Sequence, residues 1–281
     1  PIMDDILISS IPDNNIFHIL VFDILTNYRN NYNNIYIYKN NIDTENQCQK
    51  WRKFVMEKIY NTKVEYVDYL NSSQPNNKPL YDCWKFIKFK PYPQLINLFK
   101  NLNSNENGQY ILLNQRKNNN RYLYDYDTCI NLQDYLNLYT FKLPFVSCCF
   151  DDMTVEEQHE ICSKAAIFIS VHNAGCTNLI FTPTNCPLIE INFRTHWYCD
   201  PVCDDHLNNK ISINKKCNGK LQYYPEYHKA DYHNLCYLLG KKYVEIDPVE
   251  YGGKFIDNNP INKKRIYVDG EKLVDIINSL I

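Results

Sequence analysis

Two hydrophobic periods alternate along the chain. Short apolar runs at 6–11, 34–39, 63–67, 110–116, 145–150, 166–171 and 188–191 each read as a strand. Between them apolar residues recur at helical spacing. Phe17, Leu20, Val21, Ile24 and Leu25 predict a helix over 16–28, capped by Asn14 or Asn15. Thr44 with Gln47 opens a second helix to about 59 by a capping-box pattern, Pro91 and Pro93 precede a third over 94–102, and Thr154 with Glu157 opens a fourth. Later strands are expected at 221–224, 242–246 and 265–268, with a closing helix over 271–281. Strands alternating with helices imply an α/β fold, a parallel sheet with helices on both faces.

The polar stretch Asn103-Ser-Asn-Glu-Asn-Gly108 interrupts this pattern and reads as a linker. It divides the chain into a Rossmann-like unit over 1–104 and a second over 105–265, leaving 266–281 for the closing helix.

The most informative stretch follows Ala166. A run bare of charge to Val171 suits a strand buried on both faces, His172 to Gly175 is a small-residue turn, and a helix is expected over 174–181 with Pro183 beyond as a stop. The first helical N–H groups lack intrahelical partners and carry the positive end of the helix dipole, so an anion fits there. Gly175 is one of seven glycines and the only one between Gly108 and Gly219. It marks a place where backbone approaches either a phosphate or a neighbouring strand. Ligands of open α/β sheets bind beyond the carboxyl ends of strands, which puts Arg116 at the mouth of a cleft, followed by Arg121 in a basic loop. Glu190 closes a buried run and needs a partner, either a ribose or a strand-end cation.

Composition narrows the classes of function. At 281 residues, a formal charge of −2 and a pI of about 6.4, the chain gives no electrostatic case for nucleic acid, and no apolar run is long enough to span a bilayer. Abundant Asn, Ile, Lys and Tyr are what AT-rich codons produce, as in a large DNA virus or a protist. A start at Pro1 without Met suggests an excised segment, with any targeting signal outside it. The twelve cysteines are scattered. His196, Cys199, Cys203 and His206 are zinc-ligand types, but their spacing matches no strong zinc pattern, and a local disulfide or free thiols is the preferred reading. Asn71-Ser-Ser73 is a weak glycosylation signal.

Val171-His-Asn-Ala-Gly-Cys-Thr-Asn-Leu-Ile-Phe181, Pro183 and Pro187-Leu-Ile-Glu-Ile191 resemble the "HGAGLTN…F…P…EI" signature of glycosyltransferase family 61. Asn173 stands where the family usually has Gly, and Cys176 where it has Leu. Asp152-Met-Thr-Val-Glu-Glu-Gln158 is similar to the family's "M-S/T-F-x-E-Q" helix entry. Arg116 falls in its "SR…R…N" pattern, with Gln115 in place of Ser and Asp125 near the Asn. Asn15-Ile-Phe-His18 through Asp23 resembles the "N-x-x-H…D" segment of animal members.

The resemblance implies a GT-B architecture, two Rossmann-like domains facing each other across a cleft, and an inverting transfer from a UDP-sugar, UDP-GlcNAc or UDP-xylose, to a protein- or glycan-borne hydroxyl. By it, Asn15, Arg116, Arg121, His172, Asn173, Ala174, Gly175, Thr177, Asn178 and Glu190 hold the donor, and His18 and Asp23 approach from the first domain as catalytic residues. His18 sits among apolar neighbours and is equally readable as a hydrogen-bonded core residue; His172 is readable as an anchor of its turn. The closing helix is expected to cross back to the first domain. Asp125-Tyr-Asp127 has the letters of a metal motif but sits in a polar stretch, so no obligatory metal is expected; arginine and helix dipole replace it. Two other classes stay open. One is a binding module that has lost catalysis. The other is a different Rossmann-type enzyme, against whose NAD form the lack of Gly-x-Gly-x-x-Gly argues.

Overall fold

The computed structural model describes residues 6–9, 15–20, 34–38, 44–67, 93–116, 121–192, 230–249 and 265–281. All sheets among them are parallel. β1 (Ile6–Ser9), β2 (Asn34–Tyr38) and β3 (Val64–Val67) form a three-stranded sheet in that order, with α1 (Ile16–Ile19) after β1 and α2 (Gln47–Tyr60) after β2. The expected capping box at Thr44 is replaced by Asn46, whose side chain accepts from Cys48 N at 2.8 Å. The helix ends at Asn61 with φ of 50°, a left-handed stop that Asn tolerates well. α3 (Pro93–Phe99) is shorter than expected, and the strands expected at 221–224 lie outside the described residues.

The larger sheet is built from β4 (Tyr110–Asn114), β6 (Phe145–Cys148), β7 (Ala165–Val171), β8 (Leu188–Ile191) and β9 (Tyr243–Ile246), in the spatial order β6-β4-β7-β8-β9. After β4 the chain steps to one side, then returns past it to continue on the other. The strand order reverses between β4 and β7, and such a reversal opens a crevice beyond the strands' carboxyl ends. Alternation along the strands sorts their apolar residues to two faces. Leu112, Phe168 and Leu188 join one core cluster; Ile111, Leu113, Ile167, Ile169, Val171, Ile189 and Ile191 join another.

The first cluster also contains Ile35, Ile37, Trp51, Val55 and Met56, so the smaller sheet and one face of the larger share a single apolar core. Phe181 is the joint: its ring lies 6.1 Å from that of Trp51 and 6.0 Å from that of Phe54. The expected linker belongs to the second unit. Asn103 Nδ2 donates to the carbonyls of Ser163 at 3.0 Å and Phe181 at 2.9 Å, and the amides of Thr184 and Asn185 donate to Asn105 and Glu106. Gly108 is pressed so closely on the Ala165 backbone that a Cβ would stand 2.1 Å from its carbonyl carbon.

The other face is covered by β5 (Tyr122–Asp125), α4 (Leu132–Leu136), β10 (Arg265–Val268) and α7 (Gly270–Leu280), which contribute Leu123, Leu132, Leu136, Ile266, Val268, Leu273, Val274 and Ile277. Among the described residues, α7 therefore packs on the far side of the larger sheet from the core that holds the smaller one. β5 pairs with β10, Tyr122 opposite Arg265 and Asp125 opposite Val268. Asp125, read from sequence as part of a polar loop, ends β5 at 1 % exposure. It accepts from Thr128 N, Thr128 Oγ1 and Gly270 N, which makes it a structural clasp.

Candidate functional site

At the crevice between β4 and β7 lies a cavity of about 200 Å³. Asn114 and Arg116 reach it from the end of β4, Phe150 and Asp151 from the turn after β6, and Asn173, Ala174 and Gly175 from the turn after β7. The opposite wall comes from the smaller sheet's helices, with Asn15 and Ile16 at the start of α1 and Gln47 and Trp51 in α2.

The turn after β7 is shaped by its own asparagine. Asn173 Nδ2 donates to the Val171 carbonyl at 2.6 Å, and Asn173 Oδ1 accepts from Gly175 N at 2.6 Å. The segment that follows, Ala174–Phe181, is a 3-10 helix where an α-helix was expected. Its bonds span three residues, Cys176 N to the Asn173 carbonyl and Thr182 N to that of Leu179. Two of the amides expected to meet an anion, Gly175 and Cys176, are thus engaged by Asn173. Every residue from Cys176 to Phe181 is buried, and this all-round burial suits a short element threaded between two cores. Gly175 explains itself by close approach: a Cβ there would meet Asn173 Oδ1 at 2.6 Å and Asn114 Nδ2 at 3.0 Å.

Beneath the turn is a buried polar layer. His172 Nδ1 pairs with Glu190 Oε1, and Tyr243 donates to Glu190 Oε2 at 2.7 Å. Burial, reinforced by the Glu190 carboxylate, pushes the Tyr243 phenol far above its usual range, so it remains a donor. Tyr232 donates to the Asn173 carbonyl at 2.7 Å, and Arg121 Nη1 to that of His172 at 3.0 Å. Glu190 is 2 % exposed, with both oxygens engaged by side chains of this layer. Asn178 is a bridge: its Oδ1 accepts from Trp51 Nε1 at 2.9 Å and its Nδ2 donates to Gln158 Oε1 at 2.8 Å. Thr177 is fully buried, its hydroxyl without a partner among the described residues.

Asn15, Arg116, Asn173, Ala174 and Gly175 therefore line the cavity, while His172, Thr177, Asn178 and Glu190 lie beneath it and Arg121 reaches in from β5. His18 falls within α1, its side chain outside the described part, and Asp23 lies outside the described residues. Gln115 turns away from the cavity to bond the backbone of Leu123. Among the lining residues that sequence reading missed are Gln47, Trp51, Asn114, Asp151 and Gln158. The signal for Asn114 was a polar residue closing an apolar run. Gln158, taken for a helix-start residue, is 5 % exposed and donates to the carbonyls of Phe150 and Met153.

Arg116 Nε stands 3.5 Å from Asp151 Oδ2, a cation and a carboxylate together at the rim. A guanidinium beside a close-approach backbone turn suits an anionic group, and the carboxamides around it suit hydroxyls. Among the described residues, no group of His, Cys, Asp and Glu is placed to hold a metal and no helix is long and apolar enough to cross a membrane. The His196 to His206 cluster lies outside them. No curated protein matches this chain. Residues 63–189 match the model of the family Glycosyltransferase 61, a span that takes in β4, the turn after β6, the turn after β7 and Glu190's predecessor Ile189. That match supports membership of glycosyltransferase family 61.

Proposed function

We propose that this chain is an inverting glycosyltransferase of GT-B type that moves a sugar from a UDP-sugar, UDP-GlcNAc or UDP-xylose, to a hydroxyl on a protein or glycan. The observation that carries this reading is the cavity at the strand-order reversal, where Arg116 and the Asn173 to Gly175 turn converge. Arg116 neutralises the diphosphate as it leaves, and the turn receives the donor against its backbone. Asn15 and Gln47 face it from the smaller sheet. The buried layer of His172, Glu190, Arg121 and Tyr232 holds the turn in shape. His18 serves as base or as proton donor to the leaving diphosphate, with Asp23 nearby in sequence. No divalent ion is required, because the guanidinium takes that role.

Thermal unfolding in EDTA with UDP, GDP, NAD or S-adenosylmethionine tests this. A ligand at a hundred times its Kd adds about 2.7 kcal/mol of stability. The expected result is a Tm rise with UDP in wild type that is lost in Arg116→Ala. A rise only with NAD, or only after Mg²⁺ is restored, would defeat the reading. A second reading, a binding module without catalysis, draws on Asn173, whose side chain occupies the Gly175 amide that a glycine there would leave open. A UDP shift with no release of UDP from either donor would favour it.

A further inference from the structure

Beside the inner cavity runs a wider groove of about 650 Å³, walled on one side by Lys50, Lys53 and Phe54 of α2 and on the other by Asp152 to Glu156. Two residues line both spaces, Gln47 and Asp151. Transfer between two substrates requires the acceptor oxygen to reach the donor's reacting carbon at contact distance. Where a donor space and a second space meet is therefore where bond exchange takes place, and Asp151 is the carboxylate at that junction.

Its position is built. Asp151 sits in the one-turn 3-10 segment Phe150–Asp152 that follows β6. Gln158 Nε2 holds that segment from below, donating to the carbonyls of Phe150 at 3.0 Å and Met153 at 3.1 Å. Gln47 Nε2 holds it from across the groove, donating to the Met153 carbonyl at 2.5 Å. Arg116 stands at 3.5 Å, and the Asp151 side chain is 45 % exposed, open to a substrate.

Resting on the UDP-sugar reading above, we propose that Asp151 is the catalytic base and that the groove is the acceptor subsite, fitted to a serine or threonine in a basic peptide segment. An Asp151 carboxylate oxygen takes the proton of the acceptor hydroxyl. The hydroxyl oxygen's electron pair forms the new bond to the anomeric carbon. The bond from that carbon to the diphosphate oxygen breaks, and its electron pair stays on the diphosphate, where Arg116 meets the charge; the proton on Asp151 passes to water after release. His18 is then left the leaving-group side. The peptide's character follows from the groove's walls, which carry five carboxylates against two lysines. The lysines pair with two of those carboxylates, Lys50 with Glu45 at 3.0 Å and Lys53 with Glu57 at 3.9 Å, so the groove's excess negative charge comes from Asp151, Asp152 and Glu156. A cationic segment is drawn in and an acidic one repelled.

The experiment measures UDP release from UDP-GlcNAc and UDP-xylose with serine/threonine peptides flanked by Lys or by Glu, and with a neutral p-nitrophenyl glycoside. Lys-flanked peptides should show a KM roughly tenfold lower than Glu-flanked ones, the gap narrowing in high salt. Asp151→Asn should lower kcat by about 100-fold or more with the UDP-induced Tm shift retained, and Asp151→Glu should restore part of it. Glu156→Gln should raise KM for the Lys-flanked peptide and leave kcat in place. Turnover by Asp151→Asn within about threefold of wild type would overturn the base assignment, being far below the usual effect of a general base. Loss of the UDP shift in that variant would do the same by making Asp151 a donor ligand, as would UDP binding without turnover on any acceptor. Preference for the glycoside or the Glu-flanked peptide would overturn the acceptor assignment. Absence of any UDP shift in wild type would instead remove the donor reading, and this one with it.

Discussion

The two walls of the inner cavity are made differently. The wall from the larger sheet is a closed polar network: Asn114 donates to Ser170, Asn173 bonds its own turn, and Glu190 takes both His172 and Tyr243. Asn114, His172, Asn173 and Glu190 are all buried, and a buried network whose members satisfy one another holds a single geometry. The wall from α2 is tied across by Trp51 to Asn178 and by Gln47 to the carbonyls of Met153 and Phe150, and presents exposed Gln47 and Lys50 to the space beyond. The family match follows the same division. Residues 63–189 contain the first wall's strand ends and stop short of α2. The difference teaches that the stretch matched by the family is the preorganised part of this site, while the α2 wall, held by fewer bonds, lies outside that stretch.

Breaking the buried network should have the largest effect. Glu190→Ala leaves His172 and Tyr243 without their acceptor, and loss of one partner of a buried pair costs about 3–5 kcal/mol. Urea denaturation should show that loss, together with disappearance of the UDP shift; retention of both would mean the network does not shape the turn. Cutting the tie between the walls comes next. Asn178→Ala strands the Trp51 N–H and the Gln158 carbonyl in a buried place, at about 1–3 kcal/mol. In a double-mutant cycle with Trp51→Phe, the two losses should fall short of additivity. Additive losses would show that the bond carries no coupling between the walls.

The smallest effect concerns the thiols behind the first wall. Burial pushes Cys148 and Cys176 up to about 12 and Cys186 to about 11, from an ordinary 9.0. The folded chain keeps these protons where the unfolded chain begins to lose them. Their stabilisation is therefore complete below pH 9 and declines as pH rises above it. From pH 9 to 10 the loss is about 1 kcal/mol per thiol. Urea midpoints at the two pH values should differ less in Cys176→Ala than in wild type, by about that amount. An unchanged difference would place Cys176 in contact with water.

Much of this was legible in the chain because it is written locally. β7 is a seven-residue apolar strand, Ala165–Val171, and the reciprocal Thr154–Glu157 bonds are the capping box that their spacing announces. The Arg116 and Asn173 to Gly175 portions of the site follow from strand ends, which periodicity also locates. What escaped is what depends on distant partners. β5 is a strand by virtue of β10, whose Arg265 pairs with Tyr122. Gln158 looked like a helix-start polar residue, and its bonds to Phe150, Met153 and Asn178 exist only once three segments have met. The 3-10 winding of Ala174–Phe181 reflects burial on every side, which a local apolar pattern does not distinguish from an α-helix. Glu190 could be seen to need a partner; that His172 and Tyr243 both bond it required the tertiary register of β7, β8 and β9.

The pairing of β5 with β10 has a kinetic consequence. During synthesis β5 and the apolar face of β4 and β7 are complete long before Ile266, Val268, Leu273 and Ile277, the residues that cover them, have been made. Parallel strands joined across such a separation close a long loop before any contact rewards it, and this topology slows folding. The nascent chain must carry an uncovered hydrophobic face while the 95 residues from Val171 to Ile266 are made, about 5–20 s at ordinary elongation rates.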